Sequence, residues 1–111
     1  MKRVLLDENL PRDLRKSFSS NFEVTTVSGL GWQSKSNGEL LSAMASEGIQ
    51  ILVTADRNLR FQQNLSRYGI TVAILITYDT RIETLLSKLA NMEDPLLGIS
   101  EAQEYVEVHL R

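Results

Sequence analysis

The feature that constrains this chain most is a set of short apolar segments that do not alternate with polar residues. Ile70 to Ile76 is almost wholly apolar, and Val4-Leu5-Leu6 and Ile51-Leu52-Val53 are apolar without a break. A strand with one wet face alternates, whereas an unbroken run suits a strand covered on both faces. Phe22 to Val27 adds a strand rich in β-branched residues, and Glu104 to Leu110 reads as a last one. Helical periods lie between them. Leu10, Leu14 and Phe18 recur at i, i+4 and i+8 after Asn9 and Pro11. Ser36-Asn37-Gly38-Glu39 opens a helix with Leu40, Leu41, Met44 and Ala45 inward, and Gly48 ends it. Leu59 to Tyr68 precedes Gly69, and Thr80 to about Ala90 carries Ile82, Leu85, Leu86 and Leu89. Ser28 to Ser36 reads as a loop and Pro95 to Ser100 as a turn. Regular alternation of strand and helix predicts an α/β fold in three layers, α/β/α, with a mostly parallel sheet of about four to five strands.

With 111 residues, the chain is expected to form a single domain over 1–111. A domain of this size buries roughly two thirds of its unfolded surface. It has no cysteine, which excludes disulfides, thiolate metal sites and cysteine nucleophiles. No apolar run approaches the ~20 residues of a membrane span. The N-terminus enters a strand at once, so no signal peptide is expected and the cytoplasm is the default. Net charge is −2, but residues 1–81 carry ten Lys and Arg against eight Asp and Glu, and residues 82–111 carry two against six. Arg12, Arg15, Lys16, Arg57, Arg60 and Arg67 all fall in the first part. They form either a basic face around an acidic pocket or ordinary solvated helix faces.

Two apolar strands end directly on carboxylates. Val4-Leu5-Leu6 runs into Asp7-Glu8-Asn9, and Ile51-Leu52-Val53-Thr54 into Asp56-x-Asn58. Functional residues of parallel sheets gather at the carboxyl ends of strands, near the switch point in strand order. If the two strands are neighbours, Asp7 and Asp56 converge and repel unless a cation compensates them. Oxygen donors without thiolates, in a chain with one histidine, favour Mg²⁺ or Mn²⁺. Glu39, in the first turn of the second helix, is a third candidate ligand. Each of these residues also has a plainer reading. Ser36-x-x-Glu39 is a capping box, as is Thr80-x-x-Glu83, and Asn9 and Asp56 can cap helices. Trp32 is either a core anchor of its loop or a stacking platform for a base. His109 is expected at the surface, which leaves no histidine for base catalysis. Gly29-Leu30-Gly31 lacks the strand–turn–helix setting of a dinucleotide loop.

The stretches "LLDENLP", "SNGELL" and "LVTADRNLRFQQNL" resemble a small bacterial PIN-like family, compact relatives of PIN-domain nucleases that include the toxin ribonucleases of toxin–antitoxin pairs. The resemblance covers residues 3 to about 77 and is loose from Asp79 onward. It implies a metal-dependent ribonuclease that hydrolyses phosphodiesters with Mg²⁺ or Mn²⁺ on Asp7, Glu39 and Asp56. Thr54 would belong to the Thr-x-Asp signature and hold a carboxylate. Asn58 would take the fourth acidic position, and Glu8 and Asn9 would be auxiliary. Arg57 and Arg60 would contact substrate phosphates. Implied partners are RNA, a small antitoxin-like protein and a second copy in a homodimer. Two departures stand out: Asn58 is neutral where the family often has a charge, and Asn37 stands where aspartate is expected. Both favour a second reading, a partner-binding module that keeps the fold without the chemistry. A third, a phosphoacceptor receiver domain, shares the early acidic pair and the aspartate after strand three. It lacks the lysine expected after the last strand.

Overall fold

Residues 1–58, 67–100 and 103–110 are described by a computed structural model. Strand β1 (Lys2–Leu6) lies inside the sheet and ends in the buried Val4-Leu5-Leu6, so both faces of that end need cover, and its alternating side chains supply two separate cores. Val4 and Leu6 join Ile51, Val53, Ala73, Leu75 and Val108 on one side. Leu5 joins Leu52, Val72, Ile74 and Ile76 on the other. The remaining strands are β2 (Phe22–Thr26), β3 (Ile51–Thr54), β4 (Thr71–Ile76) and β5 (Tyr105–His109). They form one sheet in the order β2-β1-β3-β4-β5, every pair parallel.

Helix α1 (Asn37–Glu47) covers the Leu5 face with Leu40, Leu41 and Met44. The opposite face is covered by a 3₁₀ helix (Arg12–Ser17), α2 (Ile82–Ser87) and α3 (Leu89–Leu97), through Leu14, Leu85, Met92 and Leu96. The result is the expected three-layer α/β arrangement with a parallel sheet. Among the described residues no helix is long and apolar enough to cross a membrane.

Local chemistry sets the ends of α1. The Ser36 hydroxyl accepts from the Glu39 N–H at 3.3 Å, and the Glu39 carboxylate accepts from the Ser36 N–H at 2.9 Å, a complete capping box. At the other end Gly48 takes φ 72°, a left-handed conformation that a side chain would strain. Its N–H donates to Ala45 O and that of Ile49 to Met44 O.

Three local expectations are corrected. The first helix is a 3₁₀ helix starting at Arg12, and Asn9 does not cap it, because the Asn9 amide bonds to Thr54 at the end of β3 and to Ala55 just after it. The helix expected over Thr80–Ala90 begins at Ile82 with no side-chain cap and breaks at Lys88; Thr80-x-x-Glu83 is not a capping box. The turn expected from Pro95 is instead the last turn of α3, which the buried Met92 and Leu96 hold although the proline removes one helical hydrogen bond. The helix expected from Leu59 lies, up to residue 66, outside the described residues, as does Arg60.

Candidate functional site at the carboxyl end of the sheet

The order β2-β1-β3 places the second strand outside the first and the third beside it on the other edge, so the chain switches direction between β1 and β3. That switch point is where open α/β sheets leave a crevice. Register then decides which residues meet there. Leu6 pairs with Val53, and the ladder continues as the Asp7 N–H donates to Val53 O at 3.0 Å. One step further along each strand, Asp7 and Thr54 stand side by side.

Thr54 is the centre of the arrangement. Its side chain is fully buried, and its hydroxyl donates to Asp7 Oδ2 at 2.7 Å. The same oxygen accepts from Asn9 Nδ2 at 3.1 Å and from the Asp56 N–H at 3.1 Å. Asn9 Oδ1 in turn accepts from the Ala55 N–H at 3.3 Å. One hydroxyl therefore ties the segment after β1 to the segment after β3. The outer residues complete local turns: Glu8 N–H donates to Asp7 Oδ1 at 2.8 Å and Asn58 N–H to Asp56 Oδ1 at 3.0 Å. These are the short side-chain-to-backbone bonds that Asp favours in turns.

Of the sequence-derived candidates, Asp7, Asn9, Thr54 and Asp56 are joined in this network, with Glu8 and Asn58 bonded to its edge. Arg57 is exposed beside it. Glu39 is not joined to it. Its carboxylate sits in the capping box, on an open depression lined by Lys35, Gly38, Ser42, Ala43 and Ser46 of its own helix and the residue before it. The Ser36 N–H, then the Ser36 hydroxyl, hold its pKa below the ordinary glutamate range, with a smaller pull from Lys35. Among the described residues no three acidic or histidine side chains are grouped so as to hold a metal ion. That leaves Asp7 and Asp56 as two oxygen-donor side chains on adjoining segments. A carboxylate offers roughly four acceptor sites. Hydrogen bonds from Glu8 and Thr54 reach Asp7, and one from Asn58 reaches Asp56, so both keep unused acceptor capacity. Mg²⁺ is commonly held by one or two carboxylates with several waters retained.

A cavity of about 310 Å³ opens beside Asp7, between the carboxyl ends of β1 and β2. It is lined by Glu8, Leu10, Arg12, Thr26, Val27 and Ser28. In the sequence Arg12 is one of several basic residues of the first part of the chain. The Leu10 N–H closes a turn onto Asp7 O at 3.0 Å, and that turn carries Arg12 back over the strand end. No periodicity signals it. Trp32 is half-buried against the α1-side core, in its anchoring role, and His109 lies exposed on β5, 3.3 Å from Glu107.

No family model, curated protein or solved structure matches the chain.

Proposed function

We propose that the protein is a PIN-like, metal-dependent ribonuclease whose site is built on Asp7 and Asp56. The observation that carries this reading is the Thr54 hydroxyl, which links the segments bearing both carboxylates at the switch point of a parallel sheet. The all-oxygen donor set of Asp7, Asp56 and Asn58 suits Mg²⁺ or Mn²⁺. When bound, such an ion supplies charge neutralisation at a phosphate and an activated water. Asp7 and Asp56 would hold it, the Thr54 hydroxyl fixes the Asp7 carboxylate and the Asp56 backbone, Asn9 anchors that hydroxyl, and Asn58 would orient a water. Arg57 contacts a neighbouring substrate phosphate, and its contribution weakens as salt rises. Glu39 has a structural part in this reading. Pairing with a small antitoxin-like protein and homodimer formation belong to the same proposal.

The test is cleavage of a mixed single-stranded RNA with Mn²⁺, with Mg²⁺ and with EDTA, beside Asp7→Asn and Asp56→Asn. Metal-dependent cleavage lost in both variants supports the reading, and cleavage untouched by them sinks it.

The commitment of Glu39 to its cap favours a second reading, a PIN-like partner-binding module without turnover. It predicts a stable complex with a small protein encoded nearby and no metal-dependent cleavage. The strand order is also that of receiver-type sheets. Here, however, the only lysine beyond residue 35 of this sequence is Lys88, between α2 and α3. Labelling of Asp56 by a small phosphodonor is the observation that would revive that reading.

A further inference from the structure

We infer that the cavity between the carboxyl ends of β1 and β2 is a subsite for one ribonucleotide, with Arg12 pairing to its phosphate and Glu8 accepting a hydrogen bond from its 2′-hydroxyl. The inference rests on the nuclease reading for why an RNA strand lies here, and it adds which residues would tell RNA from DNA.

Two observations carry it. First, Glu8 and Arg12 line the same cavity, yet among the described residues neither side chain has a hydrogen bond or ion pair, with each other or with anything else. Opposite charges that share a pocket without pairing are both available to a ligand. A guanidinium calls for an anion with paired oxygens, and phosphate is the usual match. A carboxylate beside it repels a second anion but accepts from a hydroxyl, as acidic residues do from ribose. A ribonucleotide presents a phosphate and a 2′-hydroxyl, and that hydroxyl is what separates RNA from DNA. Second, the cavity has the walls such a unit needs. Leu10 and Val27 form an apolar side and Ser28 adds a hydroxyl. About 310 Å³ lies at the small end of ligand pockets and suits one monomer rather than a duplex. Asp7 lines the same cavity, so a strand that fills it reaches one carboxylate of the proposed cation site.

The experiment is an NMR titration of the full chain in Mg²⁺ buffer with 5′-UMP and with 5′-dUMP, for wild type, Arg12→Gln and Glu8→Ala, and with the dinucleotide UpU to separate a strand from a free monomer. RNA cleavage by the same proteins and by Asp56→Asn runs alongside. Both side chains are exposed, so the variants are expected to fold. The expected result is UMP binding about tenfold tighter than dUMP in wild type, because the site's acceptor is left unfilled by dUMP. Glu8→Ala reduces that preference to about one, and Arg12→Gln weakens both ligands about tenfold. UpU binding tighter than UMP marks the subsite as part of a strand path. No UMP binding, equal binding of UMP and dUMP to wild type, or indifference to Arg12→Gln overturns the inference. Cleavage that depends on Asp56 but is unchanged in both the Arg12 and Glu8 variants also overturns it and leaves the nuclease standing. Selective UMP binding without any cleavage keeps the ribonucleotide site and removes the nuclease.

Discussion

The Thr54 hydroxyl donates to Asp7 Oδ2 at 2.7 Å from a fully buried side chain, across 47 residues of sequence. It also accepts from Asn9 and from the backbone of Asp56. A single methyl-for-hydroxyl exchange therefore leaves three polar groups short of a partner. Thr54→Val is expected to cost about 1–3 kcal/mol, the range for losing a hydrogen bond to a charged carboxylate together with two partly buried neutral ones. Thr54→Ser, which keeps the hydroxyl, is expected to cost less. Urea unfolding midpoints of the two variants measure the difference, and equal losses would show that packing, not the hydroxyl, holds the strand ends together.

Metal affinity is expected to separate the carboxylates. Asp56→Asn keeps the side-chain oxygen that accepts from Asn58, so its fold is expected to be intact while Mn²⁺ binding falls about tenfold or more. Glu39→Gln is expected to leave Mn²⁺ binding within about threefold of wild type, since Glu39 serves its own helix cap. Calorimetric titration with Mn²⁺ reads both. A large loss in the Glu39 variant would bring that residue back as a ligand.

Acid sensitivity follows from two depressed carboxylates. Hydrogen bonds from Ser36 hold the pKa of Glu39 down, and the Thr84 hydroxyl, then the Arg81 N–H and side chain, hold that of Asp79 down. A carboxylate with a lowered folded-state pKa contributes stability above its unfolded pKa and loses it as pH falls through the folded one. Stability is thus expected to fall through and below the usual carboxylate range. Glu39→Gln and Asp79→Asn each flatten that fall, and both are exposed enough that the effect is modest. Unfolding midpoints against pH test it; variants as acid-sensitive as wild type would contradict the assignment.

The left-handed C-terminus of α1 gives a stability prediction independent of the site. Gly48 has φ 72°, and an added Cβ would lie 3.1 Å from Arg3 Nη1. The same Arg3 atom bonds to Glu47 O. Gly48→Ala is expected to destabilise by about 1–2 kcal/mol, the cost of the left-handed region for a residue with a side chain. Thermal unfolding measures it, and an unchanged midpoint would mean that the helix end relaxes freely.

Much of the fold can be read from local signals. Unalternating runs such as Ile70–Ile76 need cover on both faces, and Ser36-x-x-Glu39 with Gly48 brackets α1 as the residues imply. The misreadings arose where tertiary partners outbid local ones. Asn9 has the chemistry of a cap, but the end of β3 offers its amide both a donor and an acceptor, so the helix after it starts late as a 3₁₀ turn. Pro95 suggests a stop, but Met92 and Leu96 are fully buried and hold α3 through it. At the site, Asp7, Thr54 and Asp56 stand out because they end apolar strands. Strand order, which makes them neighbours, is a long-range property with no local signature. The same holds for Arg12 and Glu8, whose common cavity depends on how β2 lies beside β1.

The most direct test of the central claim, that Asp7 and Asp56 form one metal-dependent site, is RNA cleavage by purified protein with Mn²⁺ and with EDTA, wild type beside Asp56→Asn. Cleavage that needs the metal and vanishes in the variant, with the fold unchanged, is the predicted result. Cleavage that persists in the variant or in EDTA, or no cleavage by a folded wild type, would contradict it.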